Sequence, residues 1–82
     1  LSISASDFEF STDSLTADGS EDITVTFTND DGAPHSFTID ELDVDIDVTG
    51  GSSDAATFSA EPGTYEFYCK YHNTMQGTLE VN

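Results

Sequence analysis

Residues 1–82 read as one small all-β domain, a β-sandwich of seven or eight short strands. Strand signals recur about every eight to twelve residues, as in sandwiches and barrels. Several stretches alternate apolar and polar residues with a period of two. Signals for helix are nearly absent. Leu, Ile, Val and Phe make up about 22% of the chain, just above the ~20% level below which a highly charged chain stays disordered. Composition thus leaves folding open, and the patterning decides it.

The elements follow in order. Ile3 and Ala5 alternate with serines, and Phe8 and Phe10 resume in the opposite parity, which predicts a bulge near Ser6–Asp7. Ala17-Asp18-Gly19-Ser20 is turn chemistry. Ile23, Val25 and Phe27 alternate with Thr24, Thr26 and Thr28, a half-buried strand that Asn29-Asp30-Asp31-Gly32 ends. Phe37 and Ile39 mark the next strand. Val44, Ile46 and Val48 then alternate with Asp43, Asp45 and Asp47. A calcium loop starting at Asp43 would need Gly at its sixth position and Glu at its twelfth, where this chain has Val48 and Asp54. The run therefore reads as a strand with its acids facing water. Gly50-Gly51-Ser52-Ser53 is a connection, Thr57–Ser59 re-enters the sheet, and Pro62-Gly63 turns the chain again. Tyr65, Phe67 and Cys69 share one face of a strand, and Gly77 precedes the last, with Leu79 and Val81.

One basic residue against seventeen acidic ones leaves a net charge of −16. This excludes a nucleic-acid binder working by phosphate neutralisation, and adsorption to an anionic membrane. No apolar run approaches the ~18 residues of a membrane-spanning helix, and nothing at the start resembles a signal peptide. The acids are spread evenly along the chain. At low ionic strength such a surface repels itself, and molar salt, with a Debye length of ~3 Å, relieves it. A salt-loving source organism is the economical explanation; the alternative is an acidic face for a basic partner. The one cysteine, Cys69, cannot close an internal disulfide, so it is either core filler or chemistry.

Its neighbours favour chemistry. Cys69, His72 and Met75 recur every third residue where a strand runs out into a loop, close enough to wrap around one point. Thiolate, imidazole and thioether together suit a soft metal, copper above all. The remaining histidine, His35, lies beside Pro34 at the mouth of an earlier loop and would complete a trigonal His2Cys set with Met75 as weak axial ligand. Zinc rarely takes a thioether, and a Cys69–His72 nucleophile pair lacks both an orienting third group and an acyl-transfer motif. The structural alternative keeps Cys69 and Met75 as core residues and both histidines as surface residues.

At this point the sequence resembles the cupredoxins, the type 1 (blue) copper proteins that include plastocyanin, amicyanin and halocyanin. The resemblance covers nearly the whole chain in strand order and is specific at Pro34–Phe37 (P-H-S-F) and Tyr68–Gly77 (Y-C-K-Y-H-N-T-M-Q-G). The C-x-x-H-x-x-M spacing is most similar to amicyanin. The resemblance implies a Greek-key sandwich with one copper near one end. It makes His35, Cys69 and His72 the equatorial ligands and Met75 the axial one. It further implies a Ser36 N–H bond to the thiolate, and an exposed edge of His72 through which electrons pass, with Ala33, Pro34, Tyr71 and Met75 as candidate patch residues; Tyr68, next to Cys69 on the opposite strand face, is either a second port or an aromatic packed on the sheet. The chain is shorter than amicyanin, with trimming expected around Thr49–Ala56. Tyr71 stands where plastocyanin and amicyanin carry Pro, and its N–H is free to reach the sulfur as a second donor.

The expected function is electron transfer with redox partner proteins, by a monomer that is not an enzyme and works outside the cytoplasm. A copper carrier or storage domain, or a metal-free adhesion module, is the alternative. Carriers usually expose several Met or His residues, and this chain has one Met and two His. A multicopper oxidase would need H-x-H pairs, so only a fragment of one fits, and a binuclear copper centre would need two cysteines.

Overall fold

The computed structural model describes all 82 residues. Nine strands follow one another: β1 (Ser2–Ser6), β2 (Glu9–Phe10), β3 (Ser14–Ala17), β4 (Ile23–Asn29), β5 (His35–Ile39), β6 (Val44–Val48), β7 (Ser53–Phe58), β8 (Gly63–Cys69) and β9 (His72–Val81). A single 3-10 turn, Asp40–Leu42, joins β5 to β6. The strands form two sheets, ordered β2-β1-β4-β7 and β3-β9-β8-β5-β6. β1 pairs parallel with β4, and β3 pairs parallel with β9; the other pairings are antiparallel.

The period-two stretches fall as expected. Ile23, Val25 and Phe27 of β4, and Val44, Ile46 and Val48 of β6, point into the space between the sheets. With Phe37 and Phe67 they belong to one cluster of sixteen buried apolar residues. Phe37 and Phe67 stack at 4.8 Å between ring centroids. Each such ring contributes ~1.5–3 kcal/mol on burial, so a few aromatic side chains supply much of the core of a chain this small.

Four features differ from the expectation, and the first is β7, which runs from Ser53 to Phe58 where the sequence reads a connection through Ser53 and a strand at Thr57–Ser59. Ser6 pairs with Glu9 and Ala5 with Phe10, so the parity change near Ser6–Asp7 comes from a hairpin and not from a bulge. Its two connecting residues, Asp7 and Phe8, both have positive φ, 53° and 61°. That is the backbone signature of a type I′ turn, normally the province of Asn and Gly. The strand beyond the expected eight is β3, which has Leu15 as its only large apolar residue, too little pattern to read. The last strand starts at His72, well before Gly77, because β8 and β9 form one long hairpin.

β5 and β8 are antiparallel neighbours, so the start of β5 meets the end of β8. The first residue of β5 is His35 and the last of β8 is Cys69. Strand order alone brings the two together at one end of the sandwich.

Candidate metal centre

The loop that carries His35 is organised from within. Asn29, fully buried at the end of β4, donates through Nδ2 to the carbonyls of Ala33 (2.8 Å) and Val48 (3.0 Å). Its Oδ1 accepts the N–H of Asp31 (2.9 Å). Asp31 is thereby aimed back at the site. One carboxylate oxygen accepts from the Asp7 N–H (2.7 Å), and the other takes the Phe8 N–H (3.0 Å) and lies 2.7 Å from His35 Nε2. The Phe8 N–H foremost, then His35 and the Asp7 N–H, hold its carboxyl below the usual carboxylate range. An ionised carboxylate can only accept, so Nε2 carries the proton. Nδ1 faces the other way, 3.7 Å from Cys69 Sγ.

The second half of the site is built on the β8–β9 hairpin. Cys69 pairs with His72 across the Lys70–Tyr71 turn, whereas Tyr68 pairs with Gln76. Asn73, Thr74 and Met75 are therefore extra residues on one side of the ladder. This irregularity lets Met75 turn inward, where it is only 2% exposed. His72 Nδ1 lies 3.7 Å from Cys69 Sγ, as His35 Nδ1 does. The donor atoms of His35, Cys69 and His72 all fall within 4.8 Å of one another. Met75 shares the wall of a groove of about 600 Å³ with Phe8 and Phe10.

The turn is latched to the sheet. The Lys70 N–H donates to Ser36 Oγ (2.9 Å). Thr38 Oγ1 donates to Asp45 (3.1 Å), so Ser36 must be the donor in the 2.9 Å bond between the two hydroxyls. Lys70 Nζ reaches Asp45 (2.9 Å) and Asp47 (3.1 Å), and the Tyr71 hydroxyl donates to Asp47 (2.7 Å). The acids read as facing water therefore fasten the ligand turn. The Ser36 N–H points at Cys69 Sγ from 3.4 Å, as the resemblance implied. The Tyr71 N–H, expected as a second donor, is not among the partners of that sulfur, which are the Ser36 N–H and the two imidazoles. Met75 is also no surface residue; of the expected patch only Ala33, Pro34 and Tyr71 reach solvent.

Sequence reading missed Phe8. Its ring meets His35 edge-on at 5.6 Å and His72 at 4.8 Å, while over half of its surface faces water. The parity change at Ser6–Asp7 was the one local signal, and it gave no hint of the partners.

The match to known families agrees with this architecture. Residues 1–81 match the family model of the cupredoxin-like domain. The chain belongs to the cupredoxin family. Among solved structures this cupredoxin is similar to dithionite-reduced auracyanin from the photosynthetic bacterium Roseiflexus castenholzii, at 22% identity and a TM-score of 0.85, covering 99% of this chain and 94% of that one. It is likewise similar to amicyanin from Paracoccus versutus (Thiobacillus versutus), at 19% identity and a TM-score of 0.78, covering 100% and 80%. A Cu(I) form of an amicyanin mutant gives 20% identity and a TM-score of 0.78, covering 100% and 81%. No curated protein matches the sequence significantly.

The donor set fits a metal ion in chemistry and in spacing. Bonds of about 2.0 Å to nitrogen and about 2.3 Å to sulfur, as zinc makes them, place N and S about 3.7 Å apart at a trigonal angle. Both nitrogen–sulfur distances here are 3.7 Å. Two imidazoles and one thiolate, with a thioether close by in sequence, are the donors of a type 1 copper and not those of a closed zinc site.

Proposed function

We propose that this cupredoxin is an electron carrier that would hold one type 1 copper through His35, Cys69, His72 and Met75. The single observation that carries the reading is the convergence of both Nδ1 atoms on Cys69 Sγ at the same 3.7 Å. When bound, copper supplies a one-electron couple between Cu(II) and Cu(I). The protein supplies the rest. Cys69 would bind as thiolate, and the Ser36 N–H directed at its sulfur would favour the more electron-rich state and raise the potential. Asp31 fixes the tautomer and plane of His35. Strands β5, β8 and β9 anchor the donors on paired backbone, which would keep reorganisation small when the metal changed oxidation state.

As an electron carrier and not an enzyme, this cupredoxin would pass electrons between other proteins and convert no substrate. The protein acts as a monomer that meets redox partner proteins outside the cytoplasm. Its charge of −16, with Lys70 as the sole basic side chain, suits a halophilic source.

Titration with Cu(II) in molar salt, followed by visible and EPR spectroscopy, tests the reading. The expected result is one equivalent bound, an intense thiolate-to-copper band and a narrow copper hyperfine splitting. A faint band, or copper lost to a weak chelator, would return the chain to a structural or adhesion role.

A further inference from the structure

The hairpin tip at Asp7–Phe8 is built against local preference. Type I′ turns favour Asn and Gly because both central residues need positive φ, and a bulky aromatic there is a backbone outlier. Such strain persists only where surrounding structure over-determines it, and it gathers at functional sites. Here the determinant is Asp31, whose carboxylate binds both turn N–H groups and also His35. The turn is thus fastened to one imidazole, and the Phe8 ring rests edge-on against both.

The position of Phe8 sets what a partner meets. His35 is fully buried and His72 only partly exposed, whereas Phe8 is 52% exposed. Tyr71, the other large half-exposed side chain at this end, is tied through its hydroxyl to Asp47. Phe8 is the apolar surface in contact with both histidines.

We infer that Phe8 is the electron port of this protein: the side chain a partner packs on, and the first group through which the electron passes to or from His72. The inference rests on the type 1 electron-transfer reading. One electron leaves the reduced molecule and enters the oxidised one, and no bond is made or broken. The partner that fits is a redox protein with an apolar docking centre ringed by Lys and Arg. The groove beside Phe8 is lined by Asp7, Glu9 and Asp13, which complement such a ring. In molar salt those charges are screened within ~3 Å, and the apolar contact carries the docking.

Phe8→Asn is the informative variant, since Asn tolerates positive φ and keeps the turn while removing the ring. Electron self-exchange of the copper-loaded protein in molar salt, read from NMR line widths, measures the port directly. Loss of an apolar anchor should slow Phe8→Asn about tenfold or more, while Phe8→Tyr stays near wild type. Copper stoichiometry and the EPR spectrum should not change. An exchange rate that is unchanged or faster in Phe8→Asn makes the bare His72 edge the port and overturns the inference. A spectrum that changes with the rate makes Phe8 a support for the imidazoles, which also overturns it. Wild-type protein without a type 1 spectrum defeats the electron-transfer reading itself, before any variant is compared. Cytochrome c, a basic haem protein, probes the partner chemistry. Its reaction rate should fall with added salt and in Phe8→Asn, and a salt-independent rate rules out the basic partner.

Discussion

Asp31 serves three groups at once, and its replacement should separate structure from site. Asp31→Ala leaves the Asp7 and Phe8 N–H groups to water and frees the His35 ring to rotate or change tautomer. Loss of such a partner lowers metal affinity ~10–100-fold, and chelator competition should return a value in that range for copper. Asp31→Asn should recover part of it, because the amide oxygen still accepts one of the bonds. Asn29 is the second position where one side chain holds a loop. Asn29→Ala strips the buried carbonyl of Val48 and the Asp31 N–H of their partners. An unsatisfied buried polar group costs ~1–3 kcal/mol, so urea unfolding should give a free energy lower by at least that amount, seen as a lower midpoint. An unchanged midpoint would show that water replaces the amide.

At the level of strands and turns, Gly77 shows why the last hairpin tolerates little change. A Cβ there would collide with the Phe67 ring and lie 2.8 Å from the Asp13 carbonyl. The Thr78 N–H already bonds that carbonyl at 2.9 Å. Gly77→Ala should destabilise by ~1–3 kcal/mol as an overpacked site, measured by thermal unfolding. The β4, β6 and β8 strands were legible in the sequence because alternation with a period of two maps directly onto inward and outward faces. The convergence of His35, Cys69 and His72 was legible for a different reason: their donor chemistry is rare, and two of the three lie within one turn of chain. What escaped was long in sequence and local in space. The Asp31–Phe8 bond spans 23 residues, and neither residue type announces it. An Asp-Phe pair is not turn chemistry, so the type I′ hairpin read as a bulge. Asp45 and Asp47 lie outward as the pattern required, but the pattern could not tell solvent from Lys70.

Across the whole molecule, acid titration and salt act against each other. Asp18, through its bonds to Ser20, Asp31, through those to Phe8 and His35, and Asp47, through those to Tyr71 and Lys70, all have carboxyls lowered from the ordinary 3.8. A lowered folded value contributes stability that is present above the unfolded value and lost as pH falls through the folded one. Tyr68 and Tyr71 are raised from 10.0 by their bonds to Asp40 and Asp47. Their contribution is present below the unfolded value and lost as pH rises through the folded one. In molar salt, urea midpoints should therefore stay level between about pH 4 and pH 10 and drop on both sides. At low salt, with a net charge of −16 unscreened, the midpoint near pH 7 should fall and mild acid should recover part of it. A midpoint indifferent to salt would remove the argument for a halophilic surface.

The latch between Lys70 and the acids of β6 has a consequence for proteolysis. Lys70 is the only Lys or Arg in the chain, so trypsin has one bond to cut, Lys70–Tyr71, between Cys69 and His72. With the Lys70 side chain held by Asp45 and Asp47, the folded hairpin presents that bond poorly to a protease. The rate of nicking then reports how often the metal site itself springs open. Copper should slow it in proportion to its occupancy, and the two fragments, 1–70 and 71–82, make the count easy to read.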